Sequence, residues 1–101
     1  MNIILVCSEG MSTSLLVAKM KKESDVIGNH DEIFACAADQ LESYIDKYDV
    51  ILIGPQIRYK AKNIGELAAK KGKGFAVIDA VSYGMVDGNK VLAQAYSLKQ
   101  S

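Results

Sequence analysis

The chain has little that would send it to a nucleic acid, a membrane or an oxidising compartment. Twelve Lys and Arg are matched by twelve Asp and Glu, so no net charge draws it to a polyanion. No apolar run approaches the ~20 residues of a membrane span, and Met1-Asn2 lead directly into an apolar stretch rather than through a basic leader. The only cysteines are Cys7 and Cys36, too few for a disulfide framework and without metal spacing. They point to free thiols in a reducing cytoplasm, with no metal and no cofactor expected. Neither G-x-G-x-x-G after a strand nor G-x-x-x-x-G-K-[ST] occurs, which argues against dinucleotide and P-loop nucleotide binding. Repeats, linkers and low-complexity segments are also missing.

What is there is an ordinary globular composition. With 101 residues, 50% hydrophobic and 24% charged, the chain suits one compact domain over residues 1–101. A domain of that size buries roughly two-thirds of the surface its unfolded form exposes, enough for a core without staples.

Short apolar runs alternate with helical patterns along the chain, the mark of βα units and a parallel sheet. Ile3 to Val6 is apolar at every position, as in a central strand buried on both faces. Leu15, Leu16, Val17 and Met20 give the first helix its apolar stripe, with Ser12, Thr13 or Ser14 as its cap. Ser24 to Asp31 reads as a loop. Ile33 to Ala37 is the second strand, and Asp39 to Glu42 a capping box opening a helix through Leu41, Tyr44, Ile45 and Tyr48. Val50 to Ile53 is the third strand, ended by Gly54-Pro55. A third helix runs through Ile57, Ala61, Ile64 and Ala68 to a stop at Gly72. Phe75 to Ile78 is the fourth strand, and Asp87 to Gln100 a closing helix with Val91, Leu92, Ala95 and Leu98 inward. The expected fold is therefore α/β: an open three-layer α-β-α sandwich on a four-stranded parallel sheet, with four helices in strict alternation.

Ligands of such sheets sit beyond the carboxyl ends of the strands. That rule gathers Cys7, the Gly54-Pro55-Gln56 turn and the segment Asp79 to Gly84 on one edge, with Pro55, Gln56, Asp79, Tyr83 and Gly84 as rim candidates. The centre is the loop Cys7-Ser8-Glu9-Gly10-Met11-Ser12-Thr13-Ser14. A thiol at a strand end and about one turn before a helix feels that helix's partial positive charge, which favours the thiolate. Gly10 allows backbone N–H groups to turn inward, and the hydroxyls of Ser8, Ser12, Thr13 and Ser14 add donors. Together they suit a dianionic phosphoryl group on sulfur.

Two thiol families share this layout. In low-molecular-weight tyrosine phosphatases and related arsenate reductases, cysteine is followed by five residues and then an arginine that forks onto the phosphate. Here Ser8 to Ser12 fill the five places and Thr13 stands where that arginine would be. A loop without the planar cation suits holding phosphate better than hydrolysing it. The run Cys7-Ser8-x-Gly10-Met11-Ser12-Thr13-Ser14-Leu15-Leu16 resembles the phosphorylation loop of the enzyme IIB components of the lactose, cellobiose and chitobiose class of the sugar phosphotransferase system. Asp49 to Ile57 and the segments Ile78-Asp79, Tyr83-Gly84 and Asp87-Gly88 resemble the same family, so the likeness spans nearly the whole chain. It implies a strand order 2-1-3-4, like the low-molecular-weight phosphatases, and a cytoplasmic phosphocysteine carrier. Cys7 would take phosphate from a phosphohistidine of enzyme IIA and pass it to a disaccharide bound in the membrane enzyme IIC, meeting the inner membrane face only through that partner. Met11 and Tyr83 are its candidate docking contacts.

Glu9 departs from the family, which more often has a small neutral residue there. A carboxylate beside a dianion disfavours phosphorylation unless it points away, so Glu9 is expected to face the docking surface. Blander roles stand beside the sharp ones: Cys7 as a buried hydrophobe, the loop hydroxyls and Asp79 as caps, Cys36 as core packing, His30 and the lysines at 60, 62, 70, 71 and 73 as solvated surface. The alternatives are a thiol phosphatase or arsenate reductase acting on free small substrates, and a flavin-phosphate-binding module. A receiver domain is excluded, because neither the first nor the third strand ends in carboxylates.

Overall fold

Four consecutive β-branched or leucine side chains leave Ile3 to Val6 no polar face, and the chain places that run where both faces are covered. In the computed structural model, which describes residues 1–8 and 13–99, β1 (Asn2–Cys7) lies inside a four-stranded sheet of order β2-β1-β3-β4. Its partners β2 (Glu32–Ala37) and β3 (Val50–Ile53) are both parallel to it, and β4 (Gly74–Val77) adds parallel to β3. Side chains alternate across the sheet. Ile3 and Leu5 pack with Leu16 and Met20 of α1 (Ser14–Val26) and with Val91, Leu92 and Ala95 of α5 (Gly88–Lys99). Ile4 and Val6 pack on the opposite face with Leu41 of α2 (Leu41–Tyr44), Ile45, Ile57, and Ile64 and Ala68 of α3 (Ala61–Lys70). This is the three-layer architecture that the alternating runs predict, in the expected strand order.

The structure corrects several boundaries. α1 does not stop before Ser24 but runs to Val26. Ser24 is buried, its carbonyl accepts from the Asn29 and His30 N–H groups, and its hydroxyl pairs with Asp31. A hydroxyl that reads as a breaker in the sequence is thus consumed by the returning chain. The Asp39–Glu42 capping box is not formed; Gln40 Oε1 instead accepts from Ala37 N–H at 3.2 Å, opening a 3-10 turn at Ala38–Gln40. The second helix is correspondingly broken, with α2 flanked by that turn and another at Ile45–Lys47. A further 3-10 segment, Pro55–Lys60, precedes α3. β4 ends at Val77 rather than Ile78, although Ile78 N–H still bonds Ile53 O at 2.8 Å. The segment Asp79 to Gly84 contains a short helix, α4 (Ala80–Gly84), that the alternation of strands and helices does not announce. The described residues therefore hold five α-helices, not four.

Gly72 ends α3 in the left-handed conformation (φ 70°) that glycine adopts without strain, as its position predicts. At the amino-terminal edge of the sheet, α1, β2 and α5 are tied by one carboxylate. Asp31, whose side chain is 3% exposed, accepts from Ser24 Oγ at 2.7 Å, from the N-terminal ammonium at 3.0 Å and from the Tyr96 hydroxyl. Burial alone would raise its pKa; these donors outweigh it and hold the carboxyl below its ordinary value. The folded state thus favours the charged form. Its stabilisation is present above the unfolded pKa of about 3.9 and is lost as pH falls through the lower folded value. Asp31→Asn should lower the melting temperature at pH 7, and the gap from wild type should shrink by pH 3. A gap of equal size at both pH values in a circular-dichroism melt would contradict this role.

Candidate functional site

β1 delivers Cys7 to the carboxyl edge of the sheet, on the same face as Ile3 and Leu5 and hence on the α1 side. Both Cys7 and Thr13 are fully buried. Thr13 sits at the capping position of α1, yet its side chain makes no cap hydrogen bond. Its Oγ1 lies 3.8 Å from Cys7 Sγ, within reach of a sulfur hydrogen bond, while its carbonyl accepts from Val17 N–H at 2.9 Å. The capping role read for this hydroxyl is thus replaced by contact with the thiol. Ser8 and Ser14 flank the loop as exposed residues. Glu9, Gly10, Met11 and Ser12 lie outside the described residues, and with them the expectations placed on Glu9 and Met11.

Beside Cys7, the end of β3 turns away at Gly54-Pro55. Gly54 N–H bonds Val6 O at 2.8 Å, so the turn is stitched to the last pair of β1. A methyl group placed on Gly54 Cα would lie 3.8 Å from Cys7 Cβ and 2.7 Å from Gln56 Oε1. Gly54 therefore approaches Cys7, and the Gln56 carboxamide approaches Gly54. Pro55 occupies the first position of its 3-10 segment, where its missing N–H costs nothing.

The segment Asp79 to Gly84 belongs to the same edge but follows β4, which β3 separates from β1. Asp79 caps α4: its Oδ2 accepts from Ser82 N–H and from Ser82 Oγ, each at 3.0 Å. Those two hydrogen bonds hold its carboxyl below the ordinary value, so it stays a carboxylate rather than serving as an acid. Tyr83 is half-buried against the α1 and α5 face of the core, and Gly84 is exposed at the end of α4. Large apolar side chains are exposed at Leu15 near the start of α1, Tyr59 late in the Pro55–Lys60 segment, Val81 near the start of α4 and Met85 just after it.

Sequence reasoning missed Gln94. Its Nε2 donates to Val77 O at 2.9 Å and its Oε1 accepts from Asp79 N–H at 3.3 Å, so α5 clamps the backbone where β4 ends. A glutamine on a helix gives no local signal of such a clamp. Cys36 is buried among the β2 and α2 side chains, and burial first, then Cys7 and Asp39, push its thiol up to about 11. It stays protonated at neutral pH, which fits core packing. His30 is exposed beyond the far end of α1 and pairs with Asp25 at 2.9 Å. Among the described residues no group of three or more His, Cys, Asp or Glu is placed to hold a metal ion, and no helix is long and apolar enough to cross a membrane.

The family model for the lactose/cellobiose-specific IIB subunit of the sugar phosphotransferase system matches residues 2–94. The chain belongs to the lactose/cellobiose IIB family. It is 44% identical over 96 residues to the oligo-beta-mannoside-specific EIIB component of Bacillus subtilis, covering 95% of this chain and 93% of that one. It is 40% identical over 101 residues to the cellobiose-specific EIIB component of Lactococcus lactis subsp. lactis, covering 95% and 94%. A solution structure of a cellobiose-specific IIB component from Borrelia burgdorferi superposes with a TM-score of 0.82 at 38% identity, over 97% of this chain and 90% of that one. A lactose-specific IIB domain from Streptococcus pneumoniae superposes at 0.86 over 96% and 95%; at 14% identity it bears on the fold alone. A IIB component is a unit of a sugar phosphotransferase, so the chain is of the transferase class.

Proposed function

We propose that residues 1–101 form one IIB domain that carries phosphate on Cys7 between an enzyme IIA and a sugar held by a membrane enzyme IIC. The observation that carries this reading is the pairing of a buried thiol at the end of β1 with a threonine hydroxyl at the start of α1, 3.8 Å away. In the acceptance step the Cys7 thiolate attacks the phosphoryl phosphorus in line with the leaving imidazole of the donor. The S–P bond forms as the N–P bond breaks, and the pair of electrons from that bond stays on the imidazole nitrogen. Thr13 Oγ–H donates to sulfur before attack and supports charge at the loop afterwards. In the second step a sugar hydroxyl oxygen attacks the same phosphorus, the O–P bond forming as the S–P bond breaks; Cys7 leaves as thiolate with the pair of electrons from that bond, and the hydroxyl proton passes to a base on the enzyme IIC side. Relatives are named for oligo-beta-mannoside, galactose and cellobiose, so the sugar is expected from that range, the particular one being set by enzyme IIC.

The docking contacts of this carrier include exposed Leu15 and Val81, each in the helical segment that follows a strand, with half-buried Tyr83 contributing its exposed part. The carrier works in the cytoplasm, meeting the membrane through enzyme IIC.

Thr13 in the arginine position also separates this reading from a phosphatase. The sole arginine, Arg58, is exposed on the 3-10 segment after β3. Wild-type protein should therefore turn over p-nitrophenyl phosphate only marginally, while phosphorylated enzyme IIA transfers to it rapidly; Cys7→Ser should lose the transfer. Steady turnover of the small ester with no acceptance from enzyme IIA would reverse the assignment.

A further inference from the structure

Gly54 has φ −66° and ψ 148°, a backbone any residue adopts, so conformation does not explain a glycine there. Space does. A methyl group on its Cα would meet Val6 O and Cys7 Cβ at ordinary contact distances of 3.7 and 3.8 Å, but Gln56 Oε1 at 2.7 Å. The volume that the missing side chain leaves open, next to Cys7, is entered by the end of the Gln56 side chain. Gln56 is otherwise exposed, so its carboxamide reaches over Gly54 rather than into solvent alone. Cys7 Cβ borders that volume, and a phosphoryl group would extend the same side chain by an S–P and a P–O bond.

We propose that the Gln56 carboxamide, whose Oε1 faces Gly54 in the unphosphorylated protein, turns over about its last torsion and donates an Nε2–H hydrogen bond to a phosphoryl oxygen on Cys7, with Gly54 kept free of a side chain to admit it. This rests on the phosphocysteine reading above. A neutral amide suits the place: it supplies a donor without the fixed positive charge that would hold the phosphoryl group too tightly to pass on. An arginine in a hydrolytic loop grips its dianion, whereas a carrier must release it to a sugar.

The test is the equilibrium partition of phosphate between phosphorylated enzyme IIA and this protein, read by phosphorus NMR for wild type, Gln56→Ala, Gln56→Glu and Gly54→Ala. Circular dichroism checks that each variant is folded. Gln56→Ala should hold about tenfold less phosphocysteine at equilibrium, the equivalent of about 1.4 kcal/mol, and shift the phosphocysteine resonance. Gln56→Glu keeps the shape but sets a carboxylate against a dianion, so it should lose more than Gln56→Ala. Gly54→Ala should lose in the same direction, because its methyl displaces the flexible carboxamide. A wild-type partition in Gln56→Ala, or restoration of it in Gln56→Glu, overturns the proposal, since a purely structural side chain is replaced by its isostere. Absence of phosphocysteine on the wild-type protein overturns the carrier reading itself, and this contact with it.

Discussion

Thr13→Val should slow phosphoryl acceptance from enzyme IIA by roughly 10- to 100-fold while leaving the fold intact. Valine keeps threonine's β-branched outline and removes the hydroxyl, and Thr13 makes no side-chain cap bond to α1. What disappears is the hydroxyl 3.8 Å from Cys7 Sγ. Removing one prepositioned donor from a site of developing charge costs ~10²–10³ where that donor is fully aligned, and a sulfur contact of this length sits at the lower end. The same change should slow alkylation of Cys7 by iodoacetamide at neutral pH, measured in a Cys36→Ser background. A helix cap alone would alter melting temperature without altering thiol reactivity, so the two readouts separate the roles. Unchanged transfer and unchanged alkylation would remove Thr13 from the site.

Gly88→Ala should destabilise the protein by about 1–3 kcal/mol, the usual cost of overpacking a core contact. A methyl group there would lie 2.8 Å from Lys19 C, 2.8 Å from Lys19 Cβ and 2.9 Å from Met20 N. Two of these three atoms are α1 backbone, which no rotamer change can move aside. α1 and α5 must separate, and both cover the Ile3 and Leu5 face of the sheet. For a domain of this size the melting temperature should fall by roughly 4–8 °C per kcal/mol. The damage reaches function, because α1 carries Thr13 to Cys7 and any shift of the helix moves that hydroxyl. A melting temperature within experimental error of wild type would show that the two helices do not need this close approach.

The order of the elements was legible because burial on both faces writes a strand as an unbroken apolar run. Ile3 to Val6 and Val50 to Ile53 are such runs, and each is a strand flanked on both sides. The position of Cys7 at the sheet's carboxyl edge follows from that reading and the strand-end rule, as does the approach of Gly54 to it. What the sequence hid depends on partners far along the chain. Ser24 stays helical because Asp31 returns to meet its hydroxyl, and Gln94 clamps β4 from α5. Asp79 reads as a rim residue or as a cap, and only the short helix α4 shows the cap. Thr13 turns from helix end to thiol, a choice between two acceptable partners that periodicity does not encode.

The account's central claim is that phosphate resides on Cys7. Intact mass and phosphorus NMR, after incubation with phosphoenolpyruvate, the general phosphotransferase proteins and a cognate enzyme IIA, test it on wild type, Cys7→Ser and Cys36→Ser. The account predicts one added phosphoryl group and a thiophosphate-type resonance on wild type and Cys36→Ser, and neither on Cys7→Ser. A phosphoryl group that persists in Cys7→Ser, or none on the wild-type protein, would contradict it.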